Sequence, residues 1–174
     1  LYDEAEPLIR RALEITENAL EPTDSDVGAY LNNLSRLLQD TNRLAEAEPL
    51  MRRALQIDQQ VFGEDHPEVA TDLNNLATLL QATNRLAEAE PLMRRALQID
   101  QQAFGENHPN VAIRLNNLSR LLEETNRLTE AEPSMRRALD VFEESLGPEH
   151  PNTGIVRGNL DRLLAKIAAE SPLR

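Results

Sequence analysis

The chain has 174 residues, of which 40% are hydrophobic and only 3% aromatic, with a net charge of −12 and no cysteine. A core drawn from Leu, Ala, Ile and Met suits helix-on-helix packing. The negative charge repels a nucleic-acid backbone, and the lack of Cys excludes disulfides and thiol chemistry.

No apolar run approaches the ~20 residues needed to span a bilayer, so neither a nucleic-acid nor a membrane partner is expected. The chain opens at Leu1-Tyr2-Asp3, inside a repeat and without Met, and reads as a piece of a longer protein for which a cytoplasmic location is expected.

One period of 42 residues organises everything else. The string Arg43–Asp58 recurs residue for residue at Arg85–Asp100, with looser copies at Leu1–Thr16 and Leu128–Val141. Pro7, Pro49, Pro91 and Pro133 keep the interval. So do Leu-Asn-Asn-Leu at 31–34, 73–76 and 115–118, Thr-Asn-Arg-Leu at 41–44, 83–86 and 125–128, and His-Pro at 66–67, 108–109 and 150–151. A fixed period of this length signals a stacked repeat array.

In chain order the pattern predicts eight helices over 2–20, 26–40, 44–61, 68–82, 86–103, 110–124, 128–146 and 152–169. The first is the second helix (B) of a unit; three A–B pairs follow, and the last is a first helix (A). This divides a single array into a half unit 1–22, units 23–64, 65–106 and 107–148, a terminal helix 149–170 and a frayed tail 171–174.

Asp24-Ser25 stands where later linkers have His-Pro, and Ser25 or Asp26 is the expected N-cap. In the second pair Leu73, Leu76, Ala77 and Leu80 form the stripe of helix A, and Thr83-Asn84 ends it, Asn tolerating the left-handed conformation of a C-terminal stop. Leu86, Ala89, Met93, Ala96, Leu97 and Ile99 form the stripe of helix B. Pro91 lies within its first two turns, where it deletes a hydrogen bond and a bend is expected. Glu48/Arg52, Glu90/Arg94 and Glu132/Arg136 stand at i, i+4 as exposed pairs. The last helix carries Arg157, Gly158 and Asp161 and reads as a polar, solvent-facing cap.

Leu73-x2-Leu76-Ala77-x2-Leu80, Asn84 and Ala89-x3-Met93-x2-Ala96 together resemble the tetratricopeptide repeat. The 42-residue unit, longer than the usual 34, is similar to the repeats of kinesin light chains and their bacterial look-alikes. The resemblance implies an all-α, right-handed superhelical solenoid of antiparallel helix pairs. It also implies a non-catalytic module that binds a protein or peptide partner, with helix A lining a concave groove and helix B the convex back. Leu and Met replace the aromatics common in the family.

The two best-matched units differ at nine of 42 positions. Six lie on helix A: Thr71/Ile113, Asp72/Arg114, Ala77/Ser119, Thr78/Arg120, Gln81/Glu123 and Ala82/Glu124. Clustering on one helix fits a groove individualised for a ligand; drift or gene conversion is the alternative.

Asn33, Asn75, Asn117 and Asn159 form a column on helix A, and a carboxamide can pair with both faces of a peptide bond. Bonding between helices is the competing role, more so for their neighbours Asn32, Asn74 and Asn116. Arg36, Thr78, Arg120 and Arg162 lie one turn on and would favour an anionic ligand group, unless they pair with Asp40, Glu123 or Glu124 nearby.

Thr71 and Ile113 complete the candidate peptide site. A scaffold or oligomerisation segment that self-associates through the array's ends is the second reading. No cofactor is expected, and His66, His108 and His150, one per repeat, are too far apart to share a metal and read as linker packing or capping. No nucleophile set or phosphate loop supports an enzyme.

Overall fold

The computed structural model describes residues 2–21 and 23–170; the tail 171–174 lies outside them. Among the described residues there are eight helices and no strand: α1 (Tyr2–Ala19), α2 (Ser25–Asp40), α3 (Leu44–Phe62), α4 (Pro67–Ala82), α5 (Leu86–Phe104), α6 (Pro109–Glu124), α7 (Leu128–Leu146) and α8 (Pro151–Glu170). Each matches its expected span to within a residue or so. Contacts gather the chain into two compact units, Leu1–Arg85 and Leu86–Arg174. In the first, α1 packs on α2, α2 on α3 and α3 on α4; in the second, α5 packs on α6, α6 on α7 and α7 on α8.

The helix ends are written in the repeated words. Asn42, Asn84 and Asn126 adopt φ of 59°, 59° and 57°. At each, the N–H of the following Arg donates five residues back, to Leu38, Leu80 and Leu122, over 2.7, 2.8 and 2.8 Å. That is the Schellman closure. The longer helices α3, α5 and α7 end instead on Gly63, Gly105 and Gly147, at φ of 90°, 82° and 90°, where only glycine is unstrained.

His66, His108 and His150 begin the next helices. Their Nδ1 atoms accept the backbone N–H of Glu68, Asn110 and Asn152 at 3.2, 3.1 and 3.2 Å, and Pro occupies the first turn behind the first two, where its missing N–H costs nothing. Phe62 and Phe104 stack on His66 and His108 at 4.7 and 4.3 Å. In the first linker the cap is Asp24, not Ser25 or Asp26: its side chain accepts from the N–H of Asp26 at 2.9 Å. Asp24 stands one repeat before His66, so a carboxylate does there what imidazole does later.

Each interior proline leaves its helix unbroken. Pro49 and Pro91 are exposed, and so are Ala45 and Ala87, whose carbonyls lose their donor. Water can satisfy those carbonyls, which keeps the cost of each proline small.

The core is aliphatic. Leu31, Leu34 and Leu38 of α2, Met51 and Ile57 of α3, and Leu76 and Leu80 of α4 are buried in the first unit; Met93, Ile99, Leu118, Leu122, Met135 and Leu163 are buried in the second. Ala47, Ala54, Ala89, Ala96, Ala131 and Ala138 are fully buried and let neighbouring helices approach closely. In α5, Leu86 and Leu97 are only half-buried, and the stripe is completed by Asp100. On α8 Gly158 and Asp161 face solvent, while half-buried Arg157 reaches Glu143 at 2.9 Å.

Candidate functional site

The asparagine column divides between the units. In the first, Asn33 is exposed and Asn75 half-buried, and neither carboxamide bonds to another described residue. Both line a cavity of about 140 Å³, together with Asn32, Arg36, Gln39 and Met51. In the second, the carboxamides bond one another: Asn159 Nδ2 donates to Asn116 Oδ1 at 2.9 Å, and Asn116 Nδ2 to Asn117 Oδ1 at 3.2 Å. Asn159 therefore ties α8 to α6, while the bond at Asn117 stays within α6. The helix-locking role also holds for the neighbouring column, since Asn32 bonds Asp72 across 2.7 Å and Asn74 is buried.

The next column also divides. Arg36 and Arg120 are exposed and make no hydrogen bond or ion pair with a described residue. Arg162 bonds Asn159 Oδ1 at 3.3 Å and pairs with Glu123 at 3.6 Å, beside Lys166. Burial pushes the Glu123 carboxyl up, but Lys166 and Arg162 outweigh it and hold it below the ordinary value. Thr78 is exposed and its hydroxyl donates back to the Asn74 carbonyl at 2.9 Å. Thr71 is half-buried, donating to the Pro67 carbonyl at 3.2 Å, and Ile113 is exposed.

Three of the six variable positions on helix A are not surface residues. Ala77 and Ser119 are fully buried, and the Ser119 hydroxyl donates to the Ala131 carbonyl of α7 at 2.8 Å. Glu123 is buried under Arg162 and Lys166. Asp72 and Arg114 are buried too, so Asp72 is not a groove residue. These differences adjust helix-to-helix contacts. Only Thr71/Ile113, Thr78/Arg120 and Ala82/Glu124 remain for a ligand-facing surface.

Asp72 and Arg114 each meet an aspartate of the preceding helix. Asp58 of α3 and Asp100 of α5 are buried. Arg114 Nε donates to Asp100 Oδ2 at 2.8 Å, with both side chains withdrawn from water. In the first unit the same place holds two acids. Burial raises the Asp72 carboxyl to about 7, with the charge of Asp58 adding to it and the Asn32 hydrogen bond opposing it; burial also raises Asp58. The next repeat puts Phe142 and Val156 at these positions, both buried. The series Asp, Asp, Phe at 58, 100 and 142 was the sequence signal for an interior position.

A second feature escaped pattern reading: an ion-pair ladder spaced 37 residues. Arg43 bonds Glu6 at 2.6 Å and Arg85 bonds both oxygens of Glu48 at 2.8 Å; in the second unit Arg127 bonds Glu90 at 2.8 and 2.7 Å. Each glutamate carries its i+4 arginine as well. The arginines hold Glu48 and Glu90 below the usual carboxylate range.

Two further cavities occupy equivalent places in the repeat. In the first unit Asp26, Ala29, Asn32, Asp58, Phe62 and Glu68 line about 270 Å³. In the second, Ile113, Asn116, Phe142, Asn152, Ile155 and Val156 line about 210 Å³. One is acidic, the other mainly apolar. No group of three or more metal-ligating side chains is formed among the described residues, and no described helix is long and apolar enough to cross a membrane.

A tetratricopeptide repeat model matches residues 1–60, 38–102 and 73–144. Among solved structures, a kinesin-light-chain-type protein of nearly identical TPR-like repeats from Podosopora anserina is similar, with 21% identity, 97% of this chain and 80% of that one covered, and a TM-score of 0.81. BtubC (BKLC) from P. vanneervenii is similar at 23% identity, covering 99% of this chain and 77% of that one with a TM-score of 0.73. No curated protein matches in sequence. At these identities the structures speak for the fold, a TPR-like helical solenoid; the repeat model, matching along most of the chain, speaks for the family. Such repeats are non-catalytic modules that mediate protein–protein interaction. With its 42-residue period, its asparagine-closed helix pairs and its family match, the chain belongs to the tetratricopeptide repeats.

Proposed function

We propose that the face formed by α2 and α4 binds an extended segment of a protein partner, with Asn33 and Asn75 gripping its backbone. The observation that carries this reading is the cavity where both carboxamides and the Arg36 guanidinium stand free of bonds to other described residues. A carboxamide that accepts an N–H and donates to a C=O suits any peptide backbone. Arg36 adds a preference for a carboxylate or phosphate nearby. In the second unit the exposed members are Ile113 and Arg120, while Asn159 is tied to Asn116 of α6.

Selection of a random peptide display library tests the reading. Wild-type protein should enrich a shared motif, and Asn33→Ala with Asn75→Ala should lose it at unchanged helicity, each lost hydrogen bond being worth about 0.5–1.5 kcal/mol. Enrichment that survives both changes would refute the carboxamide role. Asn159→Ala should instead lower stability by about 1 kcal/mol and leave the selected motif alone.

A second reading, self-association, draws support from α1. Leu8 and Ile15 are 71% and 54% exposed, whereas Ile57 and Ile99, the equivalents of Ile15, are buried. Sedimentation should then give a concentration-dependent mass that Leu8→Glu with Ile15→Glu abolishes.

A further inference from the structure

At one place in the repeat this chain buries an acid twice and neutralises it once. Asp100, fully buried, has the guanidinium of Arg114 on its Oδ2 at 2.8 Å. Asp58 occupies the same position one repeat earlier, and opposite it stands Asp72 rather than an arginine. The Asp58 carboxylate is held by close packing: a Cβ on Gly28 would come within 2.9 Å of its Oδ1. Asp72 is buried, takes one hydrogen bond from Asn32 at 2.7 Å, and receives none at Oδ2. A proton held between the two acids would relieve that atom; Asp100 Oδ1 likewise has no partner among the described residues.

The second unit shows what this geometry accepts, an arginine side chain. The first unit lacks one, and a cavity lies beside Asp58. Asp58 opens onto the 270 Å³ pocket whose other charged walls are Asp26 of α2 and Glu68 of α4. No basic side chain among the described residues lines it. His66, the nearest cationic type, is committed through Nδ1 to capping α4 and stacks on Phe62.

We propose that this pocket takes the guanidinium of an arginine from the bound partner, which pairs with Asp58 as Arg114 pairs with Asp100. The proposal rests on the peptide-binding reading for the carrier of that arginine, but not for the pocket's affinity for the group itself. Entry of the cation replaces the shared proton, so binding weakens as pH falls below about 7, where Asp72 is protonated. Asp58, Asp26, Glu68 and His66 are the other titratable groups facing the exchange.

The test uses N-acetyl-arginine amide as probe and its neutral citrulline counterpart as control, read by amide NMR on the full chain. Saturable shifts are expected at the Asn32 carboxamide and the Ala29 and Glu68 amides with arginine, and none with citrulline. Asp58→Asn should weaken the effect at least about tenfold, as expected of a charge-assisted pair. Asp72→Arg, which installs the cation from within, should abolish it with helicity retained. Equal shifts with citrulline, a non-saturating response spread over acidic surface, or retention in both variants would overturn the proposal. Display-selected peptides that bind without any preference for arginine over citrulline would overturn it too, while leaving the groove intact. Failure of display alongside a positive probe titration would sink the groove and keep the pocket.

Discussion

Aspartate stands at 58 and at 100 in identical surroundings of sequence, yet the side chain opposite decides what each one is. Arg114 makes Asp100 half of a buried ion pair; Asp72 leaves Asp58 facing a second buried acid, and burial raises both carboxyls. Removing one member of a buried ion pair strands the other charge, so Arg114→Leu should cost about 3–5 kcal/mol. Asp100→Phe with Arg114→Val copies the apolar pair that Phe142 and Val156 already form one repeat on, and should cost far less than the single change. Urea unfolding of the two variants checks this; equal losses would mean that the pair is not energetically coupled. Local pattern could not give this away, because in Leu-Gln-Ile-Asp the acid follows the stripe and looks solvated. Its burial depends on a side chain 14 positions later, on another helix.

At the scale of the element the reverse holds, because helix ends are local events. Thr-Asn-Arg-Leu and His-Pro each carry their own stop or start signal within four residues, so the eight spans could be read directly. Asn84 shows the physics plainly: its φ of 59° costs an ordinary side chain about 1–2 kcal/mol. Asn84→Ala should therefore lower stability by about that much, while Asn84→Gly, free of the Cβ penalty, should hold or slightly raise it. A destabilised Gly variant would assign the effect to a lost side-chain contact instead. His108→Ala should cost about 1 kcal/mol through the lost cap. The candidate surface was less legible than the helix ends. Thr71/Ile113 and Thr78/Arg120 kept their outward places, but the substitutions at 77/119 and 81/123 answer neighbouring helices, and single-helix periodicity cannot separate those two demands.

Across the whole molecule the two units share a sequence and differ in how they hold charge. A carboxyl whose pKa rises on folding stabilises the fold below its unfolded value, and that contribution disappears as pH climbs through the folded one. For Asp72 the window runs from 3.8 to about 7, and Asp58 shifts the same way. The second unit has the Asp100–Arg114 pair in that place, and its Glu123 is shifted downward, so Glu123 contributes stability above the ordinary value of 4.5 and loses it only as pH falls. The ladder glutamates Glu6, Glu48 and Glu90 are likewise shifted down, so their contributions are already complete above 4.5 and do not change as pH rises further. Hydrogen exchange, corrected for the intrinsic pH dependence of amide rates, should therefore show protection in α3 and α4 falling between about pH 4 and about pH 7, with α6 and α7 nearly level. Asp72→Asn removes the titrating acid while keeping the shape, and should flatten the first unit's response. If both units lose protection together in the wild-type chain, or the Asn variant keeps the slope, the buried acid pair is not its source. A repeat array in which each unit owes its stability to its own neighbours can carry such a pH-dependent half without the other following.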